Sequence, residues 1–293
     1  MQAHPQRTRD YDSDTSVSKV WTRFKIRPDD IFVCTPPKSG TTWMQSICGM
    51  LVFRDYQVNP GVGTVSRWLD SAFNDEHEMF ECLEKQTHRR YIKTHTPLDG
   101  IIYDPPCTYI AVYRHPLDVA FSVQNHLKNM KSDELDHFII DDLNEGLREW
   151  IEKAFSPGQD IGESLESLIL HFKSFNDWRT MPNIHMFHYE DMKRDLCGAV
   201  SKLADIFGYI VDATFIESVA DAATFSNMKK NADKFAPSAD RGIWKDNAQF
   251  FESGSSNKWV GVLSDELLDL YSERMDALLD EADRSWLELG STH

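Results

Sequence analysis

Residues 30–51 limit what this chain can fold into more than any other stretch. Asp30–Thr35 (DIFVCT) is a short apolar, β-rich run that stops at Pro36 and Pro37. A run of that kind reads as a buried strand with an abrupt end. Past the turn, Met44, Ile47, Cys48 and Leu51 fall at i, i+3, i+4 and i+7, one face of a helix. Between the two stands Pro36-Pro37-Lys38-Ser39-Gly40-Thr41-Thr42-Trp43. A strand-to-helix turn is where an open α/β sheet binds phosphates, because the helix start offers unpaired N–H groups and the positive end of a dipole. Gly40 lets the backbone approach a ligand closely, Thr41 and Thr42 add hydroxyls, and Lys38 adds a full positive charge. The plainer reading is a turn whose threonines cap the helix while Lys38 is solvated. One Gly, two Thr and one Lys within five residues favour the phosphate reading. A Walker A loop is excluded in its usual form, since Lys38 precedes Gly40 and the upstream Gly is missing.

The rest of the chain repeats this alternation. Tyr91–His95 and Tyr109–Arg114 read as strands, and Pro116 stands where a helix begins. Ile184–Tyr189 is a further strand, followed by an amphipathic helix over Lys193–Phe207; Asp265–Asp280 is a last long helix. Residues 129–180 read as mostly helical and 230–260 as irregular. Strands alternating with helices predict an α/β, three-layer fold of P-loop-like kind, with a central parallel sheet flanked by helices. Residues 1–18 are polar and without period, so they read as a mobile arm before a single domain over 19–293.

Charge narrows the partners. With 31 basic against 47 acidic side chains the net charge is −16, a field that repels nucleic acid and anionic membranes. Any phosphate site must therefore be a local concentration of donors. The five cysteines are scattered, which suits reduced thiols in the cytoplasm rather than a disulfide framework. No cluster has metal-ligand spacing. The N-terminal stretch lacks the apolar core of a signal peptide, and no apolar run approaches membrane-spanning length.

Two further segments carry chemistry. Lys93-Thr94-His95 closes its strand, and an imidazole there titrates near neutrality, as a general base must. Taken alone, one His among 11 is more often a surface or core residue. Arg114 ends the strongest strand, and Ser122 lies two helical turns beyond it, so both could grip one phosphate. Equally, Arg114 could pair with Asp118 while Ser122 fills space.

PKSGTTW, KTH and the Arg114–Ser122 element together resemble, in order and spacing, the cytosolic sulfotransferase family. The resemblance covers about residues 30–280. It implies that the chain binds 3′-phosphoadenosine 5′-phosphosulfate (PAPS), releases 3′-phosphoadenosine 5′-phosphate (PAP), uses no metal, and sulfates a small-molecule acceptor. Lys38, Ser39, Gly40, Thr41, Thr42 and Trp43 are then expected to bind the cofactor. His95 becomes the base, with Lys38 and Lys93 stabilising the leaving phosphate, and Arg114 and Ser122 hold the 3′-phosphate. Tyr189, in Tyr189-Glu190-Asp191-Met192, is expected at the adenine. Phe225, in Thr224–Asn231, is expected to sandwich the base with Trp43.

The sequence departs from the family where F-x-R-K-G-x-x-G-D-W is usual. Here Phe250–Trp259 keeps Phe, Gly and Trp but carries Glu252 and Ser253 in place of Arg and Lys. Gly254 could still donate its N–H, and Arg241 or Lys245 could supply charge from the preceding loop. The family's dimer element is not matched past Trp259, so oligomeric state is left open. A P-loop kinase, a non-catalytic nucleotide-binding relative, and a dehydratase acting through a sulfate ester are the competing readings. The acceptor pocket is expected from segments 61–90, 125–160 and 231–250.

Overall fold

In the parallel strands expected above, both faces must be covered, and the two central strands are accordingly buried along their whole length. The computed structural model describes residues 4–57, 61–131, 139–140, 142–237, 239, 242–251 and 254–291. Its sheet has four parallel strands in the order β2-β1-β3-β4. They are β1 (Ile31–Cys34), β2 (Tyr91–Thr94), β3 (Thr108–Tyr113) and β4 (Ile184–His188). Alternate side chains go to opposite layers. Phe32, Cys34, Tyr109, Ala111 and Tyr113 enter one core, and Ile31, Val33, Ile110 and Val112 enter the other.

Helices fill both layers. Behind the second core lie α1 (Thr41–Phe53), the short α2 (Val62–Val65) and, later in the chain, α8 (Leu196–Ile206), α9 (Ala213–Ala222), α10 (Phe225–Lys230) and α11 (Ala232–Phe235). The first core takes α3 (Glu76–Lys85), α4 (Pro116–Lys128), α5 (Leu143–Glu152), α6 (Leu165–Asn176), α13 (Asp265–Leu278) and α14 (Glu281–Leu289). Two short helices, α7 (Tyr189–Arg194) and α12 (Asn247–Phe250), complete the set. The three-layer, P-loop-like expectation is thus the observed fold.

Two local expectations change. The single helix over Lys193–Phe207 is broken at Asp195, where α7 ends and α8 begins. The Asp195 carboxylate accepts the Gly198 N–H at 2.8 Å, so it caps a new helix instead of continuing the old one. Residues 4–18 depart from a free arm, because their polar groups are used as partners. Thr8 and Arg9 donate to the Asp99 carbonyl, Tyr11 is 5% exposed and donates to the Asp99 carboxylate, and Ser13 and Thr15 both donate to Asp160. Ser16 bridges to Ser71.

At the N-terminal edge of the sheet, the residues preceding β1 and β2 form a buried ion pair. Arg90 Nε donates to Asp30 Oδ1 at 2.7 Å, Arg90 Nη2 to Asp30 Oδ2 and, at 2.9 Å, to the Lys25 carbonyl. Asp30 is fully buried and Arg90 3% exposed. Removing either partner leaves the other charge stranded. Arg90→Ala should destabilise the fold by about 3–5 kcal/mol, read as a lower urea midpoint without loss of helical signal in the remaining native fraction.

Candidate active site

Because β1 turns toward β2 on one side and the chain later crosses to β3 on the other, a crevice opens beyond the carboxyl ends of the strands. The turn after β1 enters it in a constrained form. Lys38 has φ +60°, a left-handed conformation unusual for a side-chain-bearing residue, and Gly40 has φ +121°. A Cβ on Gly40 would stand 3.2 Å from Val112 Cγ1 and 3.4 Å from Tyr189 Cδ2. Among the described residues no side chain caps the start of α1. Thr41 Oγ1 is buried with no hydrogen-bond partner among the described residues. An uncapped helix start beside an unpaired buried hydroxyl suits an anion. Ser39 does not line the crevice; its hydroxyl turns back to the Pro37 carbonyl at 3.5 Å.

His95 follows β2. Its Nδ1 bonds to the Thr35 carbonyl beyond β1, so Nδ1 carries the proton and Nε2 keeps a lone pair. The ring meets Trp68 edge-on with centroids 4.9 Å apart. Burial, then the charge of Lys93, and more weakly His171 and Lys38, hold the imidazolium form well below its ordinary range, against the opposing Thr35 bond. The ring is therefore neutral at pH 7. Lys93 Nζ lies 4.4 Å from the centroid of Trp68, and burial pushes its pKa down to about 8 against the opposing charge of Asp70.

Lys38 Nζ lies 3.1 Å from His126 Nδ1 and 4.4 Å over the Phe250 ring. Burial, then Lys38, Lys93 and His95, push His126 well below the usual imidazole range. A neutral His126 thus accepts from the Lys38 ammonium. Sequence reasoning missed this histidine. The one signal available was its place on α4, one turn past Ser122.

After β3, Arg114 is 7% exposed. Its Nη2 donates to the Ser255 carbonyl at 2.9 Å and its guanidinium lies 4.5 Å over the Tyr189 ring. Nε stands 4.0 Å from Asp118 Oδ2 and has no hydrogen-bond partner among the described residues. Asp118 accepts the N–H groups of Asn257 and Lys258 at 3.1 and 3.3 Å, so it ties the C-terminal loop to α4. Gly254, φ +60°, lies so near Phe225 that a Cβ would come within 2.5 Å of the ring. Trp43 donates through Nε1 to the Ala223 carbonyl at 2.8 Å and meets Tyr189 edge-on. Lys245 does not reach in: it donates to the Lys128 carbonyl at 2.8 Å and lies outside the crevice lining. Arg241, Glu252 and Ser253 lie outside the described residues.

Of the residues expected to bind the cofactor or act in catalysis, all except Ser39 line one cleft of about 1670 Å³. All three segments expected for the acceptor pocket contribute to it. Tyr11, Ser13, Thr15 and Ser16 line it as well, a contribution polarity alone did not signal. The donor set fits a doubly phosphorylated adenosine. The helix start and Thr41 suit one phosphate, Arg114 and Ser122 suit another, and Trp43, Phe225 and Tyr189 offer rings for a base.

Residues 28–283 match the sulfotransferase domain family. A glycolipid sulfotransferase of Mycobacterium bovis is 30% identical over 92% of this chain and 91% of its own length. An amine sulfotransferase of Oryctolagus cuniculus is 26% identical over 92% of this chain and 85% of its own. Among solved structures, a mouse sulfotransferase complexed with PAP superposes with a TM-score of 0.71 at 21% identity, covering 91% of this chain and 90% of that one. Retinol dehydratase with retinol and PAP gives 0.71 at 20%, covering 90% and 84%. These two likenesses establish the shared fold.

Gly40→Ala places a side chain at φ +121° against Val112. It should cost about 1–3 kcal/mol of stability, measured by chemical denaturation, with the far-ultraviolet spectrum unchanged.

Proposed function

The chain belongs to the sulfotransferase family, and from that premise we propose that it moves a sulfuryl group from PAPS to a hydroxyl or amine of a small-molecule acceptor. The observation that carries the reading is a neutral His95, anchored by Thr35, lining the same cleft as Lys38 and Arg114. When bound, PAPS supplies the sulfuryl group and departs as PAP.

The residues divide the work as follows. His95 takes the acceptor proton on Nε2, the nitrogen left free by the Thr35 bond. Lys38 neutralises charge developing at the leaving 5′-phosphate, with Lys93 and the N–H groups of the Gly40 turn assisting. Lys38 reaches that phosphate by exchanging His126 for it. Arg114 and Ser122, with the backbone of Gly254, hold the 3′-phosphate. Trp43, Tyr189 and Phe225 enclose the adenine. Catalysis is then positioning and electrostatics, without a covalent enzyme intermediate.

The relatives named above suggest acceptors of glycolipid or amine kind. The cleft supports a large amphipathic one, because its lining includes the apolar side chains of Trp68, Phe73, Ile139, Ile140 and Trp150. Among the described residues no helix is long and apolar enough to cross a membrane. The five cysteines are unpaired, which supports a reducing, cytoplasmic setting.

His95→Ala should lower kcat by about 10²–10⁴-fold in a PAPS-dependent transfer assay while calorimetry shows PAP affinity unchanged; wild-type turnover would place the base elsewhere. Lys38→Ala should lower both rate and PAP affinity. The pH profile follows from the directions of the two shifts. His95 stays unprotonated well below pH 6.5, so no acid limb should appear near that value. Lys93 loses its charge as pH rises through about 8, so kcat should fall there.

A further inference from the structure

Side chains at the end of β2 alternate in direction. Lys93 and His95 line the cleft, as does Thr96 at 2% exposure, whereas Thr94 is fully buried. Behind the two threonines lies Asp70, 1% exposed. Its Oδ2 accepts from Thr94 Oγ1 at 2.6 Å, from Thr96 Oγ1 at 2.6 Å and from Trp21 Nε1 at 2.9 Å. Thr94 Oγ1 in turn accepts the Thr96 N–H at 3.0 Å, so the bonds enclose His95 between two anchored neighbours. The other oxygen of Asp70, Oδ1, has no hydrogen-bond partner among the described residues.

The segment leading to Asp70 is docked on the same strand end. Leu69 N–H donates to the Lys93 carbonyl at 2.9 Å, and Lys93 N–H to the Arg67 carbonyl at 3.0 Å. This short parallel bridge lays Trp68 against both Lys93 and His95. A buried carboxylate with an unpaired oxygen is costly, and burial for packing alone would be better served by an apolar side chain. Its position accounts for that cost.

We infer that Asp70 is a positioning residue for the base, aligning His95 through the hydroxyls of Thr94 and Thr96 and balancing the charge of Lys93 from behind the strand. The inference rests on the reading of His95 given above. The groups that face this pair are Lys38 from the turn after β1, His126 from α4, His171 from α6 and, beside Asp70, Cys34 of β1. Of the charges acting on Lys93, Asp70 is the negative one that helps it keep its proton.

The test compares kcat against pH for wild type, Asp70→Asn and His95→Ala, with PAP affinity measured by calorimetry. Asp70→Asn retains the side-chain volume and one acceptor oxygen but removes the charge. It should lower kcat by about 10- to 100-fold, keep PAP affinity, and shift the alkaline limb below its wild-type position. Unchanged kcat, or a uniform fall with the alkaline limb unmoved, overturns the inference, since loss of packing alone moves no titration. If Asp70→Asn does not fold, Thr96→Val is read instead; it removes one anchor and keeps the charge. A lower kcat with the alkaline limb in place supports the alignment, and wild-type kcat overturns it. Failure of the underlying reading shows separately, as His95→Ala turning over like wild type.

Discussion

An acidic molecule can hold a polyanion only by drawing its few suitable donors to one place, and the parallel sheet does this. Four strands run the same way, so all four carboxyl ends meet at one edge. Each end delivers one part of the site: the Lys38–Thr42 turn from β1, His95 from β2, Arg114 from β3 and Tyr189 from β4. The net charge of −16 is spread over the surface, and a Debye length of about 8–10 Å screens most of it from a site with its own donors. Lys38, Lys93 and Arg114 all line the cleft.

That concentration of cations has consequences for proton chemistry. Lys38 and Lys93 both act on His95 and on His126, and with burial they keep both rings neutral. For His95 this leaves a lone pair on Nε2, as the proposed role of base requires. For His126 it yields an acceptor that holds the Lys38 ammonium over Phe250. Lys93 is itself weakened as an ammonium, and Asp70 offsets part of that loss from the far side of β2. The site is thus a set of mutually dependent titrations, to which the buried carboxylate behind the strand contributes through Lys93.

The C-terminal loop shows how the fold handles its departure from the family pattern. Asp118, one helical turn past Arg114, binds the backbone of Asn257 and Lys258, while Arg114 itself binds the Ser255 carbonyl. The loop is therefore tied to β3 and α4 through its main chain. These tethers run through the main chain of Ser255, Asn257 and Lys258, so they do not depend on the side chains of those residues.

The strands, the first helix and the phosphate turn were legible from sequence because their causes are local: an apolar run, a proline stop, a 3.6-residue period. The break at Asp195 was also a local event, but a capping aspartate inside an amphipathic pattern is visible only once the helix it starts has a place to pack. The Lys38–His126 contact joins positions 88 apart and the Asp70 anchor beneath Thr94 and Thr96 positions 24 and 26 apart; no period or motif encodes these or the lining by Tyr11, Ser13, Thr15 and Ser16. Sequence alone determined which chemical groups the chain owns and which strand ends carry them. Tertiary structure decided which groups stand close enough to shift one another's protons, because electrostatic coupling depends on distance and burial, and both are set only when the layers close.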